Sequence, residues 1–310
     1  MSLKPHAGQN NPPRNHHFAP EFYLKRWAGA DGMLEQFSRP GGRTVKARRK
    51  HPSATGFEED LYAIPGLRAE LVQQAEQVFF QKIDTRAADV LAQLETRQLK
   101  AWTPAARTAW TVFIQSLQLR TPDDVRGIKA RSAKEWERMG PEIQRQYEAL
   151  RGDNHPATAN EYWEKMYPNL MGQIGMAINT RLIRRSRLAD HIYNMVWEVL
   201  DVSDAPFELL TSDRSVERAY GLGDKRGFIS LPIGPTLLFV AANERCTIDQ
   251  LLRAKPRDVV MKRNVYTVRG AAKLVWASDR TQKEFIAKHF AAATIPALGS
   301  LLDEPNGDSV

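Results

Sequence analysis

The chain has a single cysteine, Cys246, in 310 residues, so no disulfide can form within it. There is no second thiol to make a Cys-x-x-Cys metal or redox pair. This usage suits a reducing compartment, and a cytoplasmic protein is expected. Long apolar runs are also scarce. The longest, residues 231–242, is interrupted by Pro232, Gly234 and Pro235 and is too short to cross a bilayer. Residues 1–14 are polar and rich in Pro and Asn, without the apolar centre of a secretory signal. Neither a signal peptide nor a membrane partner is expected. There is no His-Glu-x-x-His, no His-x-His and no Gly-x-x-x-x-Gly-Lys-Ser/Thr. Gly41-Gly42 and Gly221-x-Gly223 are too sparse to cradle a phosphate. Ser212 and Ser230 lack the setting of a nucleophile elbow. The familiar sequence signatures of zinc proteases, P-loop NTPases and α/β-hydrolases are therefore all missing.

What the chain does have is a positive balance. Forty-four Lys and Arg stand against 36 Asp and Glu, a formal net charge of +8. That favours an anionic partner, nucleic acid or another anionic ligand. Hydrophobic content is 42% and charged content 26%, enough apolar material for a sizeable core. Two basic clusters stand out. Arg43, Lys46, Arg48, Arg49 and Lys50 have no acid between them, and Arg181, Arg184, Arg185 and Arg187 follow at helical spacing. Each reads either as a phosphate contact or as a solvated face.

The pattern along the chain predicts an α+β fold: a single domain over residues 15–299, between a disordered arm (1–14) and an acidic tail (300–310). Residues 33–38 alternate as a strand, Pro40-Gly41-Gly42 marks a turn, and residues 43–49 return as the partner of an N-terminal hairpin. Residues 58–190 are mainly helical. Trp110, Phe113, Ile114 and Leu117 repeat at i, i+3, i+4 and i+7, between Thr103-Pro104 and Thr121-Pro122. A charged helix is expected over 123–139 and a separate one from Pro141. The spacing of Trp110, Trp136, Tyr162 and Trp163 reads as core rather than as a base-stacking platform. From about 191 to 292 the pattern turns to a small, mostly antiparallel sheet. Strands are expected from Tyr193 through Val199, at 207–211, 228–231, 236–242 and 274–277, with helices over 247–254, 257–269 and 281–292.

Candidate chemistry concentrates at three places. His16 and His17 are adjacent imidazoles in a chain with seven histidines. In an extended lead-in their side chains point to opposite sides, so one can face a site as general base or metal ligand while the other faces away. The alternative is a histidine that caps the helix after Pro20. Glu58, in the run Glu58-Glu59-Asp60, offers a carboxylate to a divalent ion or serves a helix dipole. Asp213 follows an expected strand in a Thr-Ser-Asp turn; it is either a site residue on a loop or a side-chain-to-backbone turn former. Arg43, Arg120 and Arg184 are the candidate phosphate contacts.

Three segments carry a family resemblance. They are Asn15-His16-His17-x-x-Pro20-x-Phe22-Tyr23-Leu24; Phe57-Glu58-x-x-Leu61-Tyr62 with the later Gln118-Leu119-Arg120-Thr121-Pro122; and Leu209-Leu210-Thr211-Ser212-Asp213 with Ile229-Ser230-Leu231-Pro232-Ile233-Gly234-Pro235. In this order they resemble the bacterial domain of unknown function 4238. Glu21 stands where that pattern has glutamine, and Arg214-Ser215 where it has Asn-Pro. The resemblance implies an intracellular bacterial protein and no established reaction. Two functional readings follow. One is a hydrolase or nuclease-like enzyme on an anionic or phosphodiester substrate, with His16 or His17, Glu58 and Asp213 activating water or holding a divalent metal. The other is a non-catalytic module that binds nucleic acid or a protein, in which these landmarks serve the fold.

Overall fold

The computed structural model of the protein describes residues 15–42, 44–61, 80–96, 102–167, 183 and 187–290. The expected arm over 1–14 and tail over 300–310 lie outside the described residues. Within the described residues the fold is α+β. The N-terminal part gives β1 (Asn15–His17), α1 (Glu21–Leu24), β2 (Leu34–Ser38), β3 (Lys46–Lys50) and β4 (Phe57–Glu59). Helices α2 (Gln81–Glu95), α3 (Pro104–Leu119), α4 (Pro122–Leu150), α5 (Ala159–Met166) and α6 (Arg187–Asn194) follow. Then come β5 (Val196–Asp201), β6 (Thr211–Ser212), β7 (Glu217–Ala219), β8 (Phe228–Pro232) and β9 (Leu237–Ala242). The described part ends with α7 (Arg245–Arg253), α8 (Pro256–Gly270), β10 (Leu274–Ala277) and α9 (Lys283–His289).

The strands pair antiparallel in three groups. β1 and β4 form a ribbon, β5-β9-β8-β7 form one four-stranded sheet, and β3-β2-β10-β6 form another. The expected hairpin is present as β2–β3, with Gln36 opposite Arg48. It does not stand alone, because β10 pairs along its inner edge and sets Trp276 opposite Gln36. An aromatic core joins these parts. Trp27, Trp110, Phe113 and Trp276 are fully buried, and Trp110 stands edge-on to Phe239 of β9 at 5.7 Å.

Several expectations need correcting. α4 runs unbroken through Pro141 for 29 residues. Pro141 is exposed there, so the helix loses one internal hydrogen bond at a place where water can replace it. Of the expected 207–211 strand only Thr211 pairs, in β6 together with Ser212. Leu209 and Leu210 are buried, but their N–H groups go to Pro235 O (2.8 Å) and to the Asn264 side chain (2.9 Å), not to a neighbouring strand. Tyr193 belongs to α6. Arg107 donates to the Tyr193 and Met195 carbonyls at that helix's end (3.0 and 2.8 Å) and so fixes where β5 can begin. Trp136, Tyr162 and Trp163 lie on α4 and α5, outside the buried clusters, so their spacing does not mark core.

Candidate functional site

The His16-His17 pair becomes β1, and its register with β4 sets His16 opposite Glu58 and His17 opposite Phe57. Opposite residues of an antiparallel pair share a face. His16 and Glu58 therefore stand side by side, with His16 buried at 2% exposure. His17 turns to the other face and meets the Phe57 ring edge-on at 5.5 Å. The ribbon is anchored at Gly56, whose carbonyl accepts from Phe18 N and Ala19 N (2.9 and 3.0 Å). Gly56 has φ +68°, and a Cβ there would lie 2.9 Å from Ala19 O, so glycine is required at this turn.

Glu58 is bound to α4 by an ion pair with Arg126 at 2.7 Å. Arg126 also pairs with Asp123 at 3.0 Å, and Asp123 lies 3.6 Å from Arg214. This chain of charges runs from β4 across the first turn of α4 to the residue after Asp213. Asp123 and Asp124 suit that turn because the helix N-terminus carries a partial positive charge. Thr121 caps it, accepting from Asp124 N. Arg120, just before the cap, is fully buried, pairs with Asp84 at 2.9 Å and lies among the Phe80 and Phe113 rings. Its guanidinium faces the interior.

Asp213 ends β6 with its carboxylate turned to the strand lead-in of β10. Oδ1 accepts from Ala272 N (2.8 Å), and Oδ2 from Lys273 N and Leu274 N (2.7 and 3.0 Å). Its own N–H donates to Leu274 O at 3.1 Å. Burial pushes the carboxyl up to about 6, against the pull of those three N–H groups and of Arg214. This geometry is a clamp on backbone. Tyr23 is a second clamp between landmarks. Its hydroxyl is 2.7 Å from Thr211 Oγ1 and donates to Pro232 O at 2.8 Å. Burial pushes that phenol up to about 12.

Arg43 and Arg184 lie outside the described residues. The rest of the first basic cluster forms β3, the free edge of its sheet. Alternation splits its cations. Arg49 faces Asp31 (2.7 Å) and Glu35 (3.7 Å). Lys46, Arg48 and Lys50 share the opposite face, and none has an ion-pair partner among the described residues. Sequence reading marked this stretch as basic but selected Arg43. Strand alternation was the signal that separates the paired cation from the three unpaired ones.

Among the described residues, no group of three or more His, Cys, Asp or Glu side chains is disposed to hold a metal ion. None of their helices is long and apolar enough to cross a membrane. His16 and Glu58 are brought together; Asp213 sits in a different sheet, linked to Glu58 only through Arg126, Asp123 and Arg214.

Fold and site define an α+β protein in which remote sequence landmarks meet as joints, beside a basic sheet edge. Residues 15–281 match the model of a family described as "Protein of unknown function (DUF4238)". The chain belongs to that family. No curated protein and no solved structure matches it.

Proposed function

We propose that the protein binds nucleic acid by its phosphate backbone, along the edge strand β3. The observation that carries this reading is the row of Lys46, Arg48 and Lys50 on one face of an edge strand, free of ion-pair partners among the described residues. Same-face neighbours on a strand recur about every 6.7 Å, twice the rise per residue, so the row presents cations in a line to a linear polyanion. The overall charge of +8 adds a favourable long-range field. Charge alone would also keep an edge strand from pairing with other chains, and the test separates the two roles. The triple variant K46E/R48E/K50E keeps the edge charged but removes the cations. Its stability should stay within about 0.5 kcal/mol of the parent. Its binding to duplex or single-stranded DNA should weaken at least tenfold at low salt. The slope of log affinity against log salt should fall by about 2 to 3 in magnitude, as three phosphate contacts are lost. An unchanged slope overturns the reading.

A second reading, hydrolysis of a phosphodiester, is favoured by one observation: the register that sets His16 beside Glu58. The same incubations answer it. Cleavage products that form with the parent and vanish with His16→Ala, at unchanged binding, support a general base there. Products formed equally by His16→Ala and His17→Ala dismiss it.

A further inference from the structure

Helices α7 and α8 cover only part of the sheet β5-β9-β8-β7. Ile248, Val259 and Val260 pack on Leu200, Leu238 and Val240 over β5 and β9. Towards the edge strand β7 the cover stops, and a groove of about 410 Å³ opens between β7–β8 and α8. Its walls are apolar, from Phe228, Val240, Leu251 and Val259. That volume and lining are those of a small-molecule site.

Polar groups converge at the groove from two strands and one helix. The β7–β8 register sets Glu217 opposite Ser230, and Ser230 Oγ donates to Glu217 Oε2 at 2.6 Å. The other carboxylate oxygen takes no hydrogen bond from a described residue. Arg263 is buried at 3% exposure. Its Nη1 donates to Thr267 Oγ1 at 2.7 Å and its Nη2 to Ser215 O, which fixes the guanidinium plane. Its Nε has no hydrogen-bond acceptor, and Glu217 Oε2 is 3.6 Å away. That N–H is closed off from solvent and faces Glu217 as its ion-pair partner, which leaves the second Glu217 oxygen for a ligand. One turn apart on α8, Asp258 and Lys262 also border the groove, and neither has an ion-pair partner among the described residues. Two carboxylates and two cations therefore border an apolar hollow. Glu217 and Arg263 pair with each other, so the second Glu217 oxygen and the Lys262 ammonium are what the hollow offers to a ligand.

We propose that the groove binds a small zwitterion with an apolar side chain, an α-amino acid of the phenylalanine or leucine kind. The ammonium meets the free oxygen of Glu217, the carboxylate meets Lys262 Nζ, and the side chain lies along Val240, Leu251 and Val259. A ligand that carries both charges meets both of these groups, and one with a single charge meets only one of them.

Calorimetry with L-phenylalanine, phenethylamine and 3-phenylpropionate tests this on the full chain. Phenylalanine should bind, and each analogue, lacking one charge, should bind at least tenfold more weakly. Glu217→Gln keeps an acceptor for Ser230 and should weaken phenylalanine at least tenfold, with no loss for 3-phenylpropionate. Lys262→Met changes an exposed helix position and should weaken phenylalanine but not phenethylamine, which keeps the test sharp if the Glu217 variant folds poorly. Absence of heat and of any rise in melting temperature with phenylalanine overturns the proposal. So does an analogue that binds as tightly as the amino acid.

Discussion

The two edges of the sheet β3-β2-β10-β6 use charge in opposite ways. At the β6 edge, Asp213 is buried and each carboxylate oxygen accepts from backbone, which fastens β6 to the start of β10. At the β3 edge, Lys46 and Arg48 are exposed, Lys50 is half-buried, and none has an ion-pair partner among the described residues. A charge that is fully hydrogen-bonded inside a protein holds the fold, and its loss leaves buried donors stranded. A charge left in solvent contributes little to the fold and remains available to a partner. The contrast separates Asp213, which clamps backbone, from the β3 row proposed to meet nucleic acid; the sequence alone leaves Asp213 as either a site residue or a turn former.

The sharpest way to break this comparison is Asp213→Ala. It strands three backbone N–H groups and should cost about 3 kcal/mol or more, read from denaturant midpoints. The parent should also carry a pH signature. The carboxyl rises from 3.8 to about 6 on folding, so between those values the folded chain binds more protons than the unfolded one. Stability from this group is full below pH 4 and is lost as pH rises through about 6. Asp213→Ala should remove that slope, so its cost shrinks as pH rises from 4 to 7. A cost that does not change with pH would place Asp213 in solvent. Tyr23→Phe comes next. It deletes the hydroxyl between Thr211 and Pro232 and should cost about 1 to 2 kcal/mol by the same measurement. Glu58→Gln should do least. Glu58 and Arg126 are 37% and 50% exposed, so the change should stay within about 0.5 kcal/mol and fade in high salt. A loss near that of Asp213→Ala would mean that the β1–β4 ribbon is also an architectural clamp of the first order.

Much of the fold was legible because local pattern and final environment agree. Residues 274–277 read as a strand and form β10 over that same span. Thr103-Pro104 and Thr121-Pro122 cap α3 and α4 through their threonine side chains. The misread segments are those in which tertiary contacts replace a local rule. Residues 207–210 look like a strand, but their hydrogen bonds run to Pro235 and Asn264. Pro141 reads as a helix start, yet solvent exposure lets the helix continue. Aromatic spacing placed Trp136, Tyr162 and Trp163 in a core, but α4 and α5 carry them beyond it. At the site, the β1–β4 pairing of His16 with Glu58 had no signature, because the two lie 42 positions apart in the chain. The unsatisfied Nε of Arg263 was equally hidden, since it depends on Glu217 and Ser215 from a different part of the chain.

The central place of β10 bears on how the molecule is made. The hairpin β2–β3 leaves the ribosome early, yet its inner edge gains its partner only when residues 274–277 emerge. Until then Leu34 and Phe37, both fully buried in the finished protein, sit on a strand with one unpaired side, open to association with another nascent chain. A transcript cut short before Ala272 would also lack the N–H groups that Asp213 needs. Such a product would carry nearly nine-tenths of the sequence and still be unable to close its first-made sheet.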